Sequence, residues 1–283
     1  MVLESLITAR GAEKKPIYMI LLGMLYATVA TFLALWIFKE QASLVAVFLT
    51  VLASVPFMYH TIFYEEEEDV KLKTESAMLG AHKRALLAFF YLFMGFVIAF
   101  SIWFILLPTS VVQQLFSTQI MTINSINGRA VTAQATSLGI TADIIANNFK
   151  VLFFCIFFSF FFGAGAIFIL TWNASVIAAA VGNFIRANIV KYAANSGLIK
   201  VAAYFHAFTI ALLRYMTHGV FEILAYFVGG LAGGLISVAI IKHEPGDKLF
   251  NKVLVDAFYL ILIAVSLVLI AGAIEVYVTP LMF

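Results

Sequence analysis

Apolar runs long enough to cross a membrane follow one another along this chain, separated by short polar stretches. The first covers 17–38; as a helix rising 1.5 Å per residue it would reach about 33 Å, enough for a hydrocarbon core. Further runs occupy 43–63, 84–107, 149–171, 218–240 and 253–276, and two shorter apolar pieces, 173–185 and 201–216, are interrupted by polar groups. Period-two alternation is absent, which argues against a barrel, while the length and continuity of the runs predict helices. The expected fold is all-α: a polytopic transmembrane helical bundle filling 1–283 as one integral membrane domain. Seven runs serve as spans and 173–185 as one re-entrant or short helix. Pro56 predicts a kink in the second span.

Composition agrees with the pattern. The chain is 64% hydrophobic and 11% charged, with 29 phenylalanines in 283 residues, whereas soluble domains carry about a quarter charged residues. There is too little polar surface to cover a water-exposed fold of this size. Arg10, Lys14 and Lys15 precede the first run, but no small-residue cleavage site follows and a second span comes at once, so the first run is read as a retained helix. Cys155, alone in an apolar run, rules out an internal disulfide and is read as a buried, inert thiol. The net charge of +2 comes without a basic tract, so nothing supports nucleic-acid binding.

The basic residues order the loops. With the N-terminus in the cytoplasm, Lys71, Lys73, Lys83 and Arg84 are cytoplasmic and the loop 109–142, holding only Arg129, is external. A re-entrant 173–185 keeps Arg186, Lys191 and Lys200 inside, and 201–216 and 218–240 then go out and back. Counted so, thirteen of the seventeen basic residues are cytoplasmic. The chain is accordingly expected in the cell membrane, in contact with its lipids. The external loop is rich in Thr, Ser, Gln and Asn, and is expected as a short amphipathic helix on the bilayer or a polar cap. The acidic run Glu65–Asp69 is read as a solvated face.

Polar groups inside the apolar runs mark the candidate site, since such groups are costly in hydrocarbon unless they face protein or water. Asp143, Asn147 and Asn148 stand at the start of the fourth span and Asn173 just past its far end. His206, Arg214, His218 and Glu222 follow at intervals of eight, four and four, and Glu275 lies near the external end of the last helix. Asp143 and Asn147 suit helix capping, and Arg214 suits a cross-helix pair with Glu275, because an unpaired buried charge costs several kcal/mol. His218 and Glu222 project to one side of a helix. Three readings of the pair stay open: a hydrogen bond steadying packed helices, part of a proton, ion or lipid pathway, or two ligands of a divalent metal completed by His206 and Glu275. In the last, metal-bound water would be the nucleophile. Gly229-x-x-x-Gly233 and Gly230-x-x-x-Gly234, with Ser159-x-x-x-Gly163 and Gly165, predict closely packed helices, within one subunit or between two copies.

Asn147-Asn148, Phe162-Gly163-Ala164-Gly165, Trp172-Asn173, His218-Gly219-x-x-Glu222-x-x-Ala225 with its glycine tail, and Ala273-Ile274-Glu275-x-x-x-Thr279-Pro280 together resemble the stage II sporulation protein M family, also called the domain-of-unknown-function 95 family. The resemblance covers 143–281. Two positions depart from the family pattern: Ala174 stands where glycine is usual after Asn173, and Thr217 where proline is usual before the histidine. The resemblance implies an integral cytoplasmic-membrane protein. Its sporulation member helps recruit peptidoglycan-degrading partners and is not itself the hydrolase. The expected function is a membrane scaffold or assembly factor receiving a protein partner at the external loop, rather than an enzyme. A transporter or lipid-handling protein and an intramembrane metal-dependent hydrolase are the alternatives.

Overall fold

In hydrocarbon every backbone N–H and C=O must be satisfied within its own segment, so an apolar run that crosses does so as a helix. The computed structural model of the chain describes residues 16–71, 75–132, 137–162, 165–191 and 198–282. Their order is α1 (Tyr18–Ile37), a 3-10 turn (Lys39–Gln41), α2 (Ala42–Lys71), α3 (Glu75–Leu106), α4 (Thr109–Leu115), α5 (Ser117–Thr132), α6 (Ser137–Phe162), α7 (Ala166–Lys191), α8 (Leu198–Lys242), α9 (Lys248–Ala273), a π turn (Ile274–Val278) and α10 (Thr279–Met282), with no strand among the described residues. Among the described residues, seven stretches, in α1, α2, α3, α6, α7, α8 and α9 with its continuation, are long and apolar enough to cross a membrane. The protein is a polytopic helical bundle.

The 3.6-residue period decides which side of each helix meets protein. On α1, Met19, Leu22, Gly23, Tyr26, Ala27, Ala30, Thr31 and Ala34 are buried, while Leu21, Leu25, Val29, Phe32 and Trp36 are exposed to the lipid side. Gly23 lets α1 lie on the backbone of α3: a Cβ there would stand 2.3 Å from the Leu92 carbonyl oxygen. Buried all round its middle, α3 stacks Phe89, Phe93, Phe96, Phe100 and Phe104 through the core. Phe227 of α8 meets Phe89 stacked and Phe93 edge-on. Running through Pro56 without interruption, α2 extends well beyond its apolar run.

The bundle has two sides. On the lower one, the buried Glu65 meets His82 at 2.6 Å, and Glu66 meets Lys242 at 2.7 Å and His243 at 2.8 Å, tying the ends of α2 and α8 and the start of α3. On the upper one, Arg186 of α7 donates to the Ile105 carbonyl at 3.3 Å and to that of Leu107, covering the open C-terminal carbonyls of α3. The solvated reading of the acidic run is therefore wrong at Glu65 and Glu66, because α2 outlasts the hydrocarbon and α3 and α8 lie against its end.

Three expectations for the second half change. The run 149–171 is not one helix: α6 ends at Phe162 and α7 begins at Ala166, whose N–H donates to Ser159 Oγ at 3.1 Å. A Cβ at Gly165 would lie 2.3 Å from the Phe158 carbonyl oxygen, so only glycine fits that turn. Residues 173–185 then belong to a full-length span rather than a re-entrant piece. Nor does the chain break at 201–222, since α8 is one continuous helix of 45 residues. Thr217 keeps its N–H and bonds its hydroxyl to the Leu213 carbonyl. The two changes cancel, so 218–240 and 253–276 keep their directions. Arg186, Lys191 and Lys200 change sides relative to the expected topology, so that with the N-terminus inside the cytoplasmic tally of basic residues would be ten of seventeen rather than thirteen.

The expected external loop is helical, and its first half is wedged into the bundle. Phe116, between α4 and α5, packs edge-on to Phe100 and tilted on Phe104, roughly two turns below the end of α3. Gln119 is buried, accepting from Ser43 at 2.7 Å and donating to Ser175 at 3.1 Å. The chain thus dips at 109–124, where the sequence pattern placed a surface cap.

Candidate functional site

His218 and Glu222 stand one turn apart on α8 and face the end of α9, where the helix widens into the π turn. The cause lies in Pro280, which has no N–H for the Val276 carbonyl and crowds the preceding turn. The N–H of Thr279 instead donates five residues back to the Ile274 carbonyl, and its hydroxyl donates to the same oxygen at 3.2 Å. Such single π turns recur at functional sites. Glu275 sits in this one, and one ligand atom each from His218, Glu222 and Glu275 lies within 4.8 Å of the other two. All three residues are half-buried.

Two further groups steady the cluster. Asn148, buried on α6, donates its amide to Glu222 Oε1 at 2.5 Å. Thr279 Oγ1 lies 3.2 Å from His218 Nδ1. With its hydrogen on the Ile274 carbonyl, the threonine oxygen can accept from Nδ1–H, and the tautomer that makes this bond leaves Nε2 unprotonated.

The two carboxylates face each other across the site. Were both ionised, at 4.8 Å or less and an effective dielectric near 20 they would repel by about 3 kcal/mol or more, a repulsion that a shared proton removes as well as a cation does. Among the described residues the ion pairs involve Glu65, Glu66 and Glu67, and none reaches Glu222 or Glu275. A positive charge between the two would remove the repulsion. One imidazole and two carboxylates, with no thiolate, form a donor set suited to borderline and harder divalent cations.

The other sequence-derived candidates divide sharply. Asn147 is exposed, about a third of a turn around α6 from Asn148. Asn173 spends its amide on the Ile169 carbonyl of its own helix. His206 is exposed and lies twelve residues before His218, about 18 Å along α8, so it cannot complete a ligand set with it. The side chain of Arg214 lies outside the described residues, and with it the pair to Glu275; Gly163 lies outside them too. The α8 glycines serve packing inside one chain. A Cβ at Gly229 would stand 2.4 Å from Leu152 Cδ1, at Gly230 2.6 Å from Ala166 Cβ, and at Gly233 2.4 Å from the Ile156 carbonyl oxygen. Gly234 is buried beside them.

Sequence reasoning missed three contacts that position this framework. The Gly23–Gly95 crossing was visible in the small-residue spacings Gly23-x-x-x-Ala27 and Gly95-x-x-x-Ala99. For the Glu65, Glu66, His82, Lys242 and His243 cluster, the only sign was that its charges flank spans on one side. Nothing local marked Gln119.

No curated protein and no solved structure matches the chain. A family model, that of stage II sporulation protein M, matches residues 85–280, from about three turns into α3 to Pro280. The match includes Asn148, His218, Glu222, Glu275 and Thr279, and begins well before 143, taking in α4 and α5. Since it spans more than half of the 283 residues, the chain belongs to the stage II sporulation protein M family.

Proposed function

We propose that the chain is a membrane assembly factor that holds a partner protein on the upper side of the bundle, the side external to the cytoplasmic membrane when the N-terminus is inside. The observation that carries this reading is the length of α8. Its 45 residues reach about 67 Å, more than twice a hydrocarbon core of about 30 Å. Its lower end is pinned at Lys242 beside Glu66. The twenty residues from Leu198 to Thr217 therefore extend about 30 Å past the hydrocarbon. That arm is apolar in sequence, including Val201, Tyr204, Phe205, Phe208, Ile210, Leu212 and Leu213, and an apolar helix leaving the membrane needs a covering surface. The rigid, glycine-packed bundle supports a fixed platform over one whose halves rock. With 109–124 wedged into the core, the arm rather than that part of the loop is the docking element.

Photo-crosslinking residues placed at His206, Thr209 and Leu213, all exposed, test it, with lipid-facing Trp36 as control. One discrete protein adduct shared by the arm positions and absent at Trp36 is expected; an adduct of twice the chain's mass identifies the partner as a second copy. Lipid adducts alone from the arm would refute the reading. A second reading, cation-coupled transport or metal-dependent hydrolysis, is favoured by the convergence of His218, Glu222 and Glu275.

A further inference from the structure

We propose that His218, Glu222 and Glu275 form a three-ligand site for a first-row divalent cation of the zinc class, near the upper boundary of the hydrocarbon. The site does not depend on the assembly role and stands or falls by itself.

Four features of the cluster point to a cation rather than to helix packing. First, its ligand atoms come from two separate elements and already lie within 4.8 Å of one another. Bonds of about 2.0–2.2 Å to a tetrahedral zinc place ligand atoms about 3.4 Å apart. An ion between the two carboxylates would be held by both. Second, the Thr279 hydroxyl, which can donate to the Ile274 carbonyl, stands 3.2 Å from His218 Nδ1 and can accept from an Nδ1–H. That hydrogen bond leaves Nε2 with a free lone pair for coordination, the arrangement that ligating histidines recur in. Third, the amide of Asn148 donates to Glu222 Oε1 at 2.5 Å and fixes one carboxylate oxygen while the other remains for the ion. Asn148 is thus a positioning residue. Fourth, Glu275 reaches the site from a π turn whose residues 274–278 are not buried, and single π turns recur at functional sites.

Three protein ligands leave a fourth position open. It faces the upper side, because the half-buried cluster lies where α8 leaves the hydrocarbon. A cation there can exchange with the outer solution, and the open position admits water or an anionic group such as a carboxylate or phosphate.

The test uses the full-length chain in detergent micelles, freed of metal with a chelator and then equilibrated with zinc. Metal content per chain and the zinc-induced rise in unfolding temperature are measured on wild type, His218→Ala, Glu222→Gln, Glu275→Gln, Asn148→Ala and His206→Ala. The expected result is about one zinc per chain in wild type and in His206→Ala. Affinity falls at least tenfold in each ligand variant, and by about 10–100-fold in Asn148→Ala. Loss of zinc in His206→Ala with retention in His218→Ala would assign the binding to a surface histidine and overturn the proposal. Absence of stoichiometric zinc, manganese or cobalt from folded wild type would overturn it as well, leaving the carboxylates to share a proton. Should a ligand variant fail to fold, cobalt loaded into wild type decides. A ligand-field spectrum of low-symmetry nitrogen and oxygen coordination is expected, and the spectrum of hydrated cobalt alone refutes the site.

Discussion

Alanine at Gly95 and alanine at Gly219 are the same chemical change on two helices, yet the structure assigns them opposite signs. A Cβ at Gly95 would stand 2.3 Å from the Ile20 carbonyl oxygen and 2.9 Å from Gly23 Cα. Both are backbone atoms of α1, with no rotamer to retreat into. Recovering an ordinary separation of about 3.4 Å moves the helices apart by roughly 1 Å, and a gap of that size forfeits about half the dispersion energy of each contact it opens. Overpacking of this kind costs about 1–3 kcal/mol, against a gain of about 1 kcal/mol for replacing glycine by alanine inside a helix. The clash wins, for a net loss of about 1–2 kcal/mol. At Gly219 the nearest atom is Met216 Cε at 3.9 Å, so only the helix-propensity gain remains, neutral to about 1 kcal/mol stabilising. Unfolding of both variants and wild type in one detergent, followed by helical circular dichroism, measures the difference. Equal stability of the two variants would refute the backbone contact between α1 and α3.

Two further outcomes check the polar ties. Glu66→Gln loses the buried carboxylate between Lys242 and His243; because Lys242 is 27% exposed, screening limits the expected loss to about 1–2 kcal/mol, with Glu67→Gln, whose carboxylate is exposed, within about 0.5 kcal/mol of wild type. Matching unfolding midpoints for the two would show that Glu66 is not held in the buried pair. Gln119→Leu strips the buried Ser43 hydroxyl of its acceptor, a cost of about 1–3 kcal/mol. Amide exchange should quicken at 117–124 and not in α9, and unchanged exchange there would contradict the wedged position of α5.

What could be read along the chain was whatever a helix determines within a turn or two. Run length marked the membrane-crossing helices, and four-residue spacing put His218 and Glu222 on one side of α8 before any neighbour was known. The same local reading failed between α6 and α7, because the sequence joining them is itself apolar and leaves hydropathy unbroken. Ser159, which lies against Gly233 of α8 as the small-residue spacing predicts, also reaches the N–H of Ala166, and Gly165 lies against the Phe158 carbonyl. At Thr217 the error ran the other way. Polar residues interrupting an apolar run were read as a break, although a polar side chain costs a helix nothing when a neighbour or its own backbone carbonyl satisfies it.

By itself, then, the amino-acid sequence determined that the chain is a helical membrane protein of its family, which residues are polar within the apolar runs, and that two of them share a face. Tertiary structure decided the rest. Glu275 joins His218 and Glu222 while His206 does not, because the short turn from Lys242 to Lys248, where Gly246 takes φ 95°, and the π turn before Pro280 set how far up α8 the end of α9 reaches. Glu65 and Glu66 are buried because α3 and α8 close over the end of α2. Each of these depends on the relative height of helices far apart in sequence. Glycine contacts and turn geometry set that height, and hydrophobic periodicity, which repeats identically along every helix, carries no record of it.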